Sequence, residues 1–125
     1  MGDRASVIID QSNSLGIEIY AHWAGTEIVN TLPYSLVIAK DRYDDLPYFT
    51  RIVTQNILNS ISFKDKDTGA GLEICDYDKS NHGDLNNYPV FIDPYTRLIK
   101  CNDKEFTFED IIKNGVKDLQ KAMLM

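Results

Sequence analysis

The sequence predicts one α+β domain over residues 1–125, with an antiparallel sheet of about four to six strands packed against two to three helices. Short apolar or alternating runs bounded by turn residues indicate strands on both sides of a central helical region. Strands and helices come in runs rather than in strict alternation, which is typical of an antiparallel sheet. A chain of 125 residues with 43% hydrophobic residues is also long enough for one buried core.

The chain begins with a predicted β-hairpin. Residues 6–10 form an apolar run, residues 11–14 are rich in turn formers, and residues 16–23 alternate with a period of two. The second strand is therefore expected to be half buried. Its apolar face consists of Ile17, Ile19, Ala21 and Trp23, and its polar face consists of Glu18, Tyr20 and His22.

Two helices are predicted next. The first covers residues 26–40, with Thr26 as its N-cap. Pro33 falls inside it, so the segment is either a kinked helix or a short turn followed by a helix from about Pro33, and we favour the helix from 26 to 40. The second helix covers residues 46–61, where apolar residues recur with a helical period.

The second half of the chain returns to strands. Residues 77–88 form the longest polar stretch, and a loop of this length is either functional or mobile. Thr107 and Asp110 match a capping box at the start of the last helix. The other expected elements are a solvated loop at 64–71, strands at 72–76, 89–93 and 97–101, a weak strand at 104–106 and one helix at 108–123.

Composition excludes several function classes. The net charge of −6 disfavours direct binding of nucleic acid or of an anionic membrane. No apolar run has membrane-spanning length, and the first residues lack a secretory leader, so we expect a cytoplasmic protein without a membrane partner. Cys75 and Cys101 each lie in an apolar run and are expected to be buried free thiols. Phosphate-binding, dinucleotide and serine-nucleophile motifs are missing, so no cofactor and no catalytic residue is predicted.

Two groups of side chains are candidates for ligand binding. The first combines a tyrosine, a histidine, a tryptophan and an acid near a glycine turn, which is a suitable lining for a shallow pocket. The second combines arginines and acids at a helix start, where a phosphate can bind. Ordinary core packing and surface ion pairs are the alternative for both groups. The first group is Tyr20, His22, Trp23 and Glu27, and the second is Arg42, Asp44, Asp45, Tyr48 and Arg51.

A third group lies in the long polar stretch. Asp76, Asp78, His82 and Asp84 offer carboxylates and an imidazole that could hold a divalent cation. Such residues also keep a loop solvated, and that alternative is favoured here. No metal site is therefore assigned from the sequence.

Several segments resemble a family of small phage and prophage-type proteins in which similar blocks recur in this order. The resemblance covers most of residues 2–93, implies a phage context and supplies no catalytic residues. The polar stretch at 77–88 is longer than the usual connection in that family. The matching segments are Gly2–Val7, Tyr20–Glu27, Arg42–Asp45 with Tyr48 and Arg51-Ile52, Gly69–Leu72 and Pro89–Asp93.

The favoured hypothesis is a non-catalytic binding protein of phage origin. It would counteract a host defence by sequestering a small phosphorylated, nucleotide-type ligand, with Arg42, Arg51, Trp23, Tyr20 and His22 in the pocket. A homo-oligomer is expected, with the pocket at or near a subunit interface. One alternative is an acidic inhibitor that binds a host defence protein, such as a nucleic-acid-binding one. Another is a small phosphodiesterase-like enzyme, with Tyr20, His22 and Asp44 as acid–base groups.

Overall fold

The computed structural model describes residues 2–61 and 69–125 and confirms the α+β class. Six strands form one mixed sheet in the order β3-β2-β1-β4-β5-β6. Two 3₁₀ turns, at Gly25–Val29 and Lys40–Arg42, flank the first helix. The strands are β1 (Ala5–Asp10), β2 (Leu15–Ala21), β3 (Ala70–Asp76), β4 (Val90–Asp93), β5 (Leu98–Cys101) and β6 (Lys104–Thr107). The helices are α1 (Leu32–Ile38), α2 (Leu46–Ile61), α3 (Phe108–Asn114) and α4 (Lys117–Met123).

Strand β1 lies at the centre of the sheet. It pairs antiparallel with β2, with Val7 opposite Ile19, and parallel with β4, with Val7 opposite Val90. The parallel pair was not predicted; it arises because residues 77–88 carry the chain from the edge strand β3 across β2 and β1 to β4, which then runs in the same direction as β1. The remaining neighbouring strands pair antiparallel, as expected.

The hydrophobic core lies between one face of the sheet and the helices. Alternate residues of β1 and β2, such as Val7, Ile9 and Ile19, point into it. Helix α2 contributes Phe49 and Val53, which recur on its buried face. Because these side chains are fully buried, truncating any of the large ones costs about 2–5 kcal/mol of stability.

The helices differ from the prediction at two breaks. Pro33 lies in the first turn of α1, which follows a separate 3₁₀ turn. The favoured prediction of a continuous helix at 26–40, with Thr26 as N-cap, is therefore wrong. The alternative, a short turn followed by a helix from about Pro33, is confirmed. The last helix also divides, because Gly115 adopts a φ of +80° after α3. The helix predicted at 46–61 is confirmed as α2.

The helix count of two to three is therefore exceeded, with α1 to α4 in the described ranges. The capping box at the start of α3 is confirmed: the amide of Asp110 donates to the Thr107 hydroxyl over 3.0 Å, and the amide of Thr107 donates to the Asp110 carboxylate over 3.1 Å. The weak strand at 104–106 is confirmed as β6. Most of the expected loop at 64–71 lies outside the described residues.

The opposite face of the sheet, called the outer face below, is partly covered by residues Tyr77–Tyr88, called the outer loop. The Asn81 side-chain amide donates to the carbonyl of Ile74 over 3.0 Å. At the other end, Arg4 Nε donates to the carbonyl of Asp84 over 2.8 Å, and the amide of Tyr88 donates to the carbonyl of Met123 over 2.8 Å. The outer loop is thus attached to β3 at one end, and to the residue before β1 and to helix α4 at the other.

No helix in residues 2–61 and 69–125 has the length and apolar character needed to cross a membrane.

Candidate functional site

A fully buried acid occupies the middle of the outer face. Glu18 projects from β2 and is 0% exposed, because the outer loop folds over it. Its carboxylate accepts hydrogen bonds from the Ser6 hydroxyl over 2.5 Å, from the Ser80 hydroxyl and from the backbone amide of Asn81 over 2.8 Å. Three donors therefore replace the water that this carboxylate loses on burial. Glu18 lies on the polar face of β2, as predicted, but the outer loop buries it there.

A second acid lies directly across the sheet from the first. Glu73 on β3 is the register partner of Glu18, so two carboxylates share one face at neighbouring positions. Like charges placed opposite one another in a sheet are destabilising. His82 from the outer loop approaches this pair, with its Nε2 atom 2.9 Å from Oε1 of Glu73. These two atoms are shielded from solvent, and neither has a hydrogen bond of acceptable geometry within the described residues.

The imidazole of His82 is fixed by an aromatic neighbour. The Tyr20 ring stacks on it with centroids 3.8 Å apart and an angle of 11° between the planes. Burial, and then the nearby charge of Asp84, raises the pKa of Tyr20, whereas Arg4 lowers it. Tyr20 therefore keeps its phenolic proton at neutral pH and acts here as a neutral platform.

An open cleft of about 440 Å³ borders this cluster and is called the outer cleft. It lies between the outer loop and strand β4, and its volume is in the range of small-molecule sites, roughly 300–1,000 Å³. The walls combine apolar and aromatic side chains with a few polar groups. The lining residues are Asp78, Lys79, Ser80, His82, Gly83, Leu85, Tyr88, Pro89, Phe91, Asn102 and Met125.

The first predicted group is divided between the two faces of the sheet. Tyr20 lies on the outer face against His82. Trp23 is 68% exposed beyond the end of β2 and contacts the His22 ring at 4.9 Å, so its place on the buried face of the strand is wrong. Trp23 and Glu27 line a separate cavity of about 150 Å³.

The second predicted group surrounds the start of α2, where it forms ordinary surface interactions. Arg42 lies 3.6 Å from the carboxylate of Asp45, and its guanidinium packs 4.8 Å from the Tyr48 ring centroid. Arg51 donates to the side chain of Gln55 over 2.9 Å. Asp44, the remaining member, pairs with Arg97 over 3.1 Å.

Trp23 and Glu27 of the first group lie at the opposite end of α2 from the second group. The cavity beside Trp23 is closed by Ser60 and Ile61 at the C-terminal end of the helix, whereas Arg42 packs at its N-terminal end. A helix of 16 residues is about 24 Å long. One copy of the chain therefore does not bring the arginine at the helix start and the tryptophan together.

Two of the segments that carry the phage-family resemblance contact each other. The amide of Asp3 donates to the carbonyl of His22 over 2.9 Å, and the amide of Gly25 donates to the carbonyl of Asp3 over 2.8 Å. Gly25 has a φ of +56°, and a Cβ atom there would lie 2.1 Å from the Asp3 carboxylate. Asn87 also donates to this carboxylate, over 2.8 Å. Packing therefore accounts for these residue types without any ligand.

The sequence missed the residues that form the outer-face cluster. The metal-binding alternative for His82 grouped it with Asp76, Asp78 and Asp84, but the structure places it with Glu18 and Glu73 instead. The side-chain ligand atoms of these three residues lie within 4.8 Å of one another. The sequence did show a run of serine, asparagine and histidine in the long loop. These residues can donate hydrogen bonds, but the sequence does not show which acidic side chain accepts them.

The cysteines are buried and free, as expected. Burial raises the pKa of Cys75 to about 11 and the pKa of Cys101 to about 12. Both thiols are therefore protonated at neutral pH, which makes them poor nucleophiles and poor metal ligands.

No protein-family model matches the chain, and the searches of curated proteins and of solved structures found no significant match. Membership of the phage family therefore stays a prediction. The function has to be argued from the geometry of this molecule.

Proposed function

We propose that the chain is a non-catalytic binding protein that sequesters a small phosphorylated, nucleotide-type ligand in the outer cleft. The observation that carries the proposal is the cleft itself: about 440 Å³ of space with aromatic walls beside a fixed imidazole. The phage origin and the role against a host defence rest on the sequence resemblance alone. The proposed site differs from the one that the sequence suggested.

The lining of the outer cleft suits the two parts of a nucleotide. Tyr88 and Phe91 provide aromatic surface on which a base can stack, and Asn102 offers amide groups for its polar edge. Lys79, which is exposed at the rim, supplies a positive charge for a phosphate, and His82 offers a ring nitrogen beside it. Small-molecule sites are usually lined mostly by apolar side chains, with a small number of polar or charged groups.

The outer cleft is favoured over the predicted arginine site for a physical reason. Arg42 is held by Asp45 and Tyr48, and Arg51 by Gln55, so a phosphate would have to replace existing partners. The cavity beside Trp23, at about 150 Å³, is too small for a nucleotide. A dimer that combines the two ends of α2 would restore the predicted pocket, and the binding experiment distinguishes the two locations.

The experiment is isothermal titration calorimetry of the full chain with AMP, ATP, cyclic AMP and their guanine counterparts. We expect Lys79→Ala to weaken binding about tenfold, because it removes the cation at the rim. Lys113→Ala, which changes an exposed lysine on helix α3, is the matched control and should leave the affinity unchanged. Loss of binding in Arg42→Ala or Arg51→Ala, with Lys79→Ala unaffected, would move the site to α2.

Two further outcomes decide between the remaining hypotheses. If a bound nucleotide is recovered chemically altered after denaturation, the phosphodiesterase-like alternative replaces sequestration. If none of the nucleotides binds, the proposal is wrong, and co-elution with a host defence protein that weakens with added salt would favour the acidic inhibitor.

We also propose that the chain forms a homo-oligomer through the edge strand β3. Leu72 and Ile74 on this strand are 52% and 69% exposed, although both are large apolar side chains. An edge strand of seven residues without proline is a template for pairing with another chain. Multi-angle light scattering of the wild type should give more than one subunit, and Ile74→Lys should give the monomer; a monomeric wild type would refute the pairing.

A further inference from the structure

We propose that Glu18, Glu73 and His82 form a binding site for a divalent first-row transition-metal ion such as Zn²⁺. The inference goes beyond the nucleotide site, because it concerns a different ligand on the floor of the outer face. It stands or falls independently of whether a nucleotide binds in the outer cleft.

The distances between the candidate ligand atoms fit a metal ion. Glu73 Oε1 and His82 Nε2 are 2.9 Å apart, and one ligand atom from each of the three residues falls within a 4.8 Å group. Two ligand atoms bound at about 2.1 Å to one tetrahedral ion lie about 3.4 Å apart, so these two atoms would separate by about 0.5 Å when Zn²⁺ binds. The ligand atom of Glu18, which lies within 4.8 Å of the other two, would have to approach them to about 3.4 Å.

The contact between the two nearest atoms is close enough for an ion pair with a protonated imidazole, but it is not a hydrogen bond. Glu73 Oε1 and His82 Nε2 are both shielded from solvent, and the geometry between them does not make a hydrogen bond. Buried polar atoms are almost always satisfied, and an exception points to an unoccupied ion or water position. A cation placed beside both atoms would satisfy both lone pairs together.

The surroundings hold the ligands as the outer shell of a metal site does. Ser6, Ser80 and Asn81 together place three hydrogen bonds on the Glu18 carboxylate, which has about four acceptor positions, so one is left for an ion. The Tyr20 ring fixes the plane of the His82 imidazole. Ligating carboxylates and imidazoles are oriented by such contacts in known metal sites.

Charge favours a divalent cation and the ligand set favours a transition metal. Two carboxylates on adjacent strands repel one another, and a cation between them converts this repulsion into attraction. Imidazole suits Zn²⁺ and related ions, whereas Mg²⁺ and Ca²⁺ prefer oxygen ligands alone. The proposed order of affinity is therefore Zn²⁺ above Mg²⁺ and Ca²⁺.

The test is a Zn²⁺ titration of the full chain after EDTA treatment and its removal, followed by calorimetry and by NMR of the histidine rings. The chain has two histidines, so His22 serves as an internal reference. We expect one Zn²⁺ per chain, with the ring signals of His82 shifting and those of His22 unchanged. Glu73→Gln, a change on a partly exposed side chain, should weaken binding by at least about tenfold.

Asp103→Asn is the matched control, because it removes an exposed charge in the turn between β5 and β6, outside both the cluster and the lining of the outer cleft. Equal weakening by Asp103→Asn and Glu73→Gln would mean that the ion is attracted by the acidic surface in general, and the proposed site would be wrong. Absence of saturable binding, or shifts of His22 in place of His82, would also overturn it. The wild-type NMR result decides the question even if Glu73→Gln fails to fold.

Discussion

Replacing Glu18 by alanine is expected to lower the free energy of unfolding by about 3 kcal/mol. The change removes the acceptor for three donors. The Ser6 hydroxyl is fully buried and loses its partner without access to water, at a cost of about 2 kcal/mol. Ser80 and Asn81 are more exposed and together cost about 1.5 kcal/mol. Relief of the repulsion from Glu73 returns about 0.5 kcal/mol.

The assay is urea unfolding followed by circular dichroism, with hydrogen exchange of the outer loop measured in the native state. At this chain length the loss corresponds to a fall in Tm of about 12 °C, at about 4 °C per kcal/mol. Glu18→Gln keeps one acceptor oxygen and should lose less than Glu18→Ala. Glu105→Ala, at an exposed acid on β6 whose partner is the exposed Lys100, is the control. If Glu18→Ala unfolds within about 0.5 kcal/mol of the wild type, the outer loop is not held by this carboxylate.

Three further predictions concern the backbone and the thiols. Gly25→Ala should lower the free energy of unfolding in urea by about 2 kcal/mol, because φ is +56° and the new Cβ would lie 2.1 Å from the Asp3 carboxylate. Gly71→Ala is the control: a Cβ atom there meets no atom within 4 Å, so its free energy of unfolding should stay within about 0.5 kcal/mol of the wild type. Cys75 and Cys101 should react with a thiol reagent only after unfolding; fast native labelling would contradict their burial. Burial raises the pKa values of the two thiols from 9.0 to about 11 and about 12, so the unfolded state loses these protons at a lower pH than the folded state does. The free energy of unfolding should therefore fall as the pH rises from about 9 to about 12. A free energy of unfolding that does not change over this pH range would contradict the shifts.

The sequence predicts the fold well where a local pattern decides it. Helix α2 has the predicted bounds, because its apolar period is uninterrupted and a proline occupies its first turn. The last helix is divided at Gly115, although its apolar residues keep a helical spacing across the break, so periodicity alone could not show it. The parallel pairing of β1 with β4 depends on contacts across more than 80 residues, which no local pattern contains.

The candidate site could not be predicted from the sequence for a related reason. Alternation in β2 places Glu18 on the polar face correctly, but it equates that face with solvent. The face is buried because Ser80 and Asn81, more than 60 positions later, fold over it and donate hydrogen bonds. Glu73 joins the cluster through strand pairing, and His82 through the outer loop. Long-range pairing therefore creates the site from residues that are unremarkable in their own segments.

The two proposals meet at His82, which belongs to the metal cluster and also lines the outer cleft. Without a cation, Glu18 and Glu73 make this end of the cleft unfavourable for a phosphate, and among the residues that line the cleft Lys79 opposes them. A bound Zn²⁺ would neutralise the two carboxylates and could accept a phosphate oxygen. We therefore expect nucleotide affinity to rise when the metal site is loaded, in the wild type and not in Glu73→Gln. Because nucleotides bind free Zn²⁺ themselves, the difference between these two proteins is the quantity to measure. Equal nucleotide affinity in EDTA and in Zn²⁺ would show that the phosphate contacts Lys79 and not the ion. A bound ion would then only stabilise the outer loop.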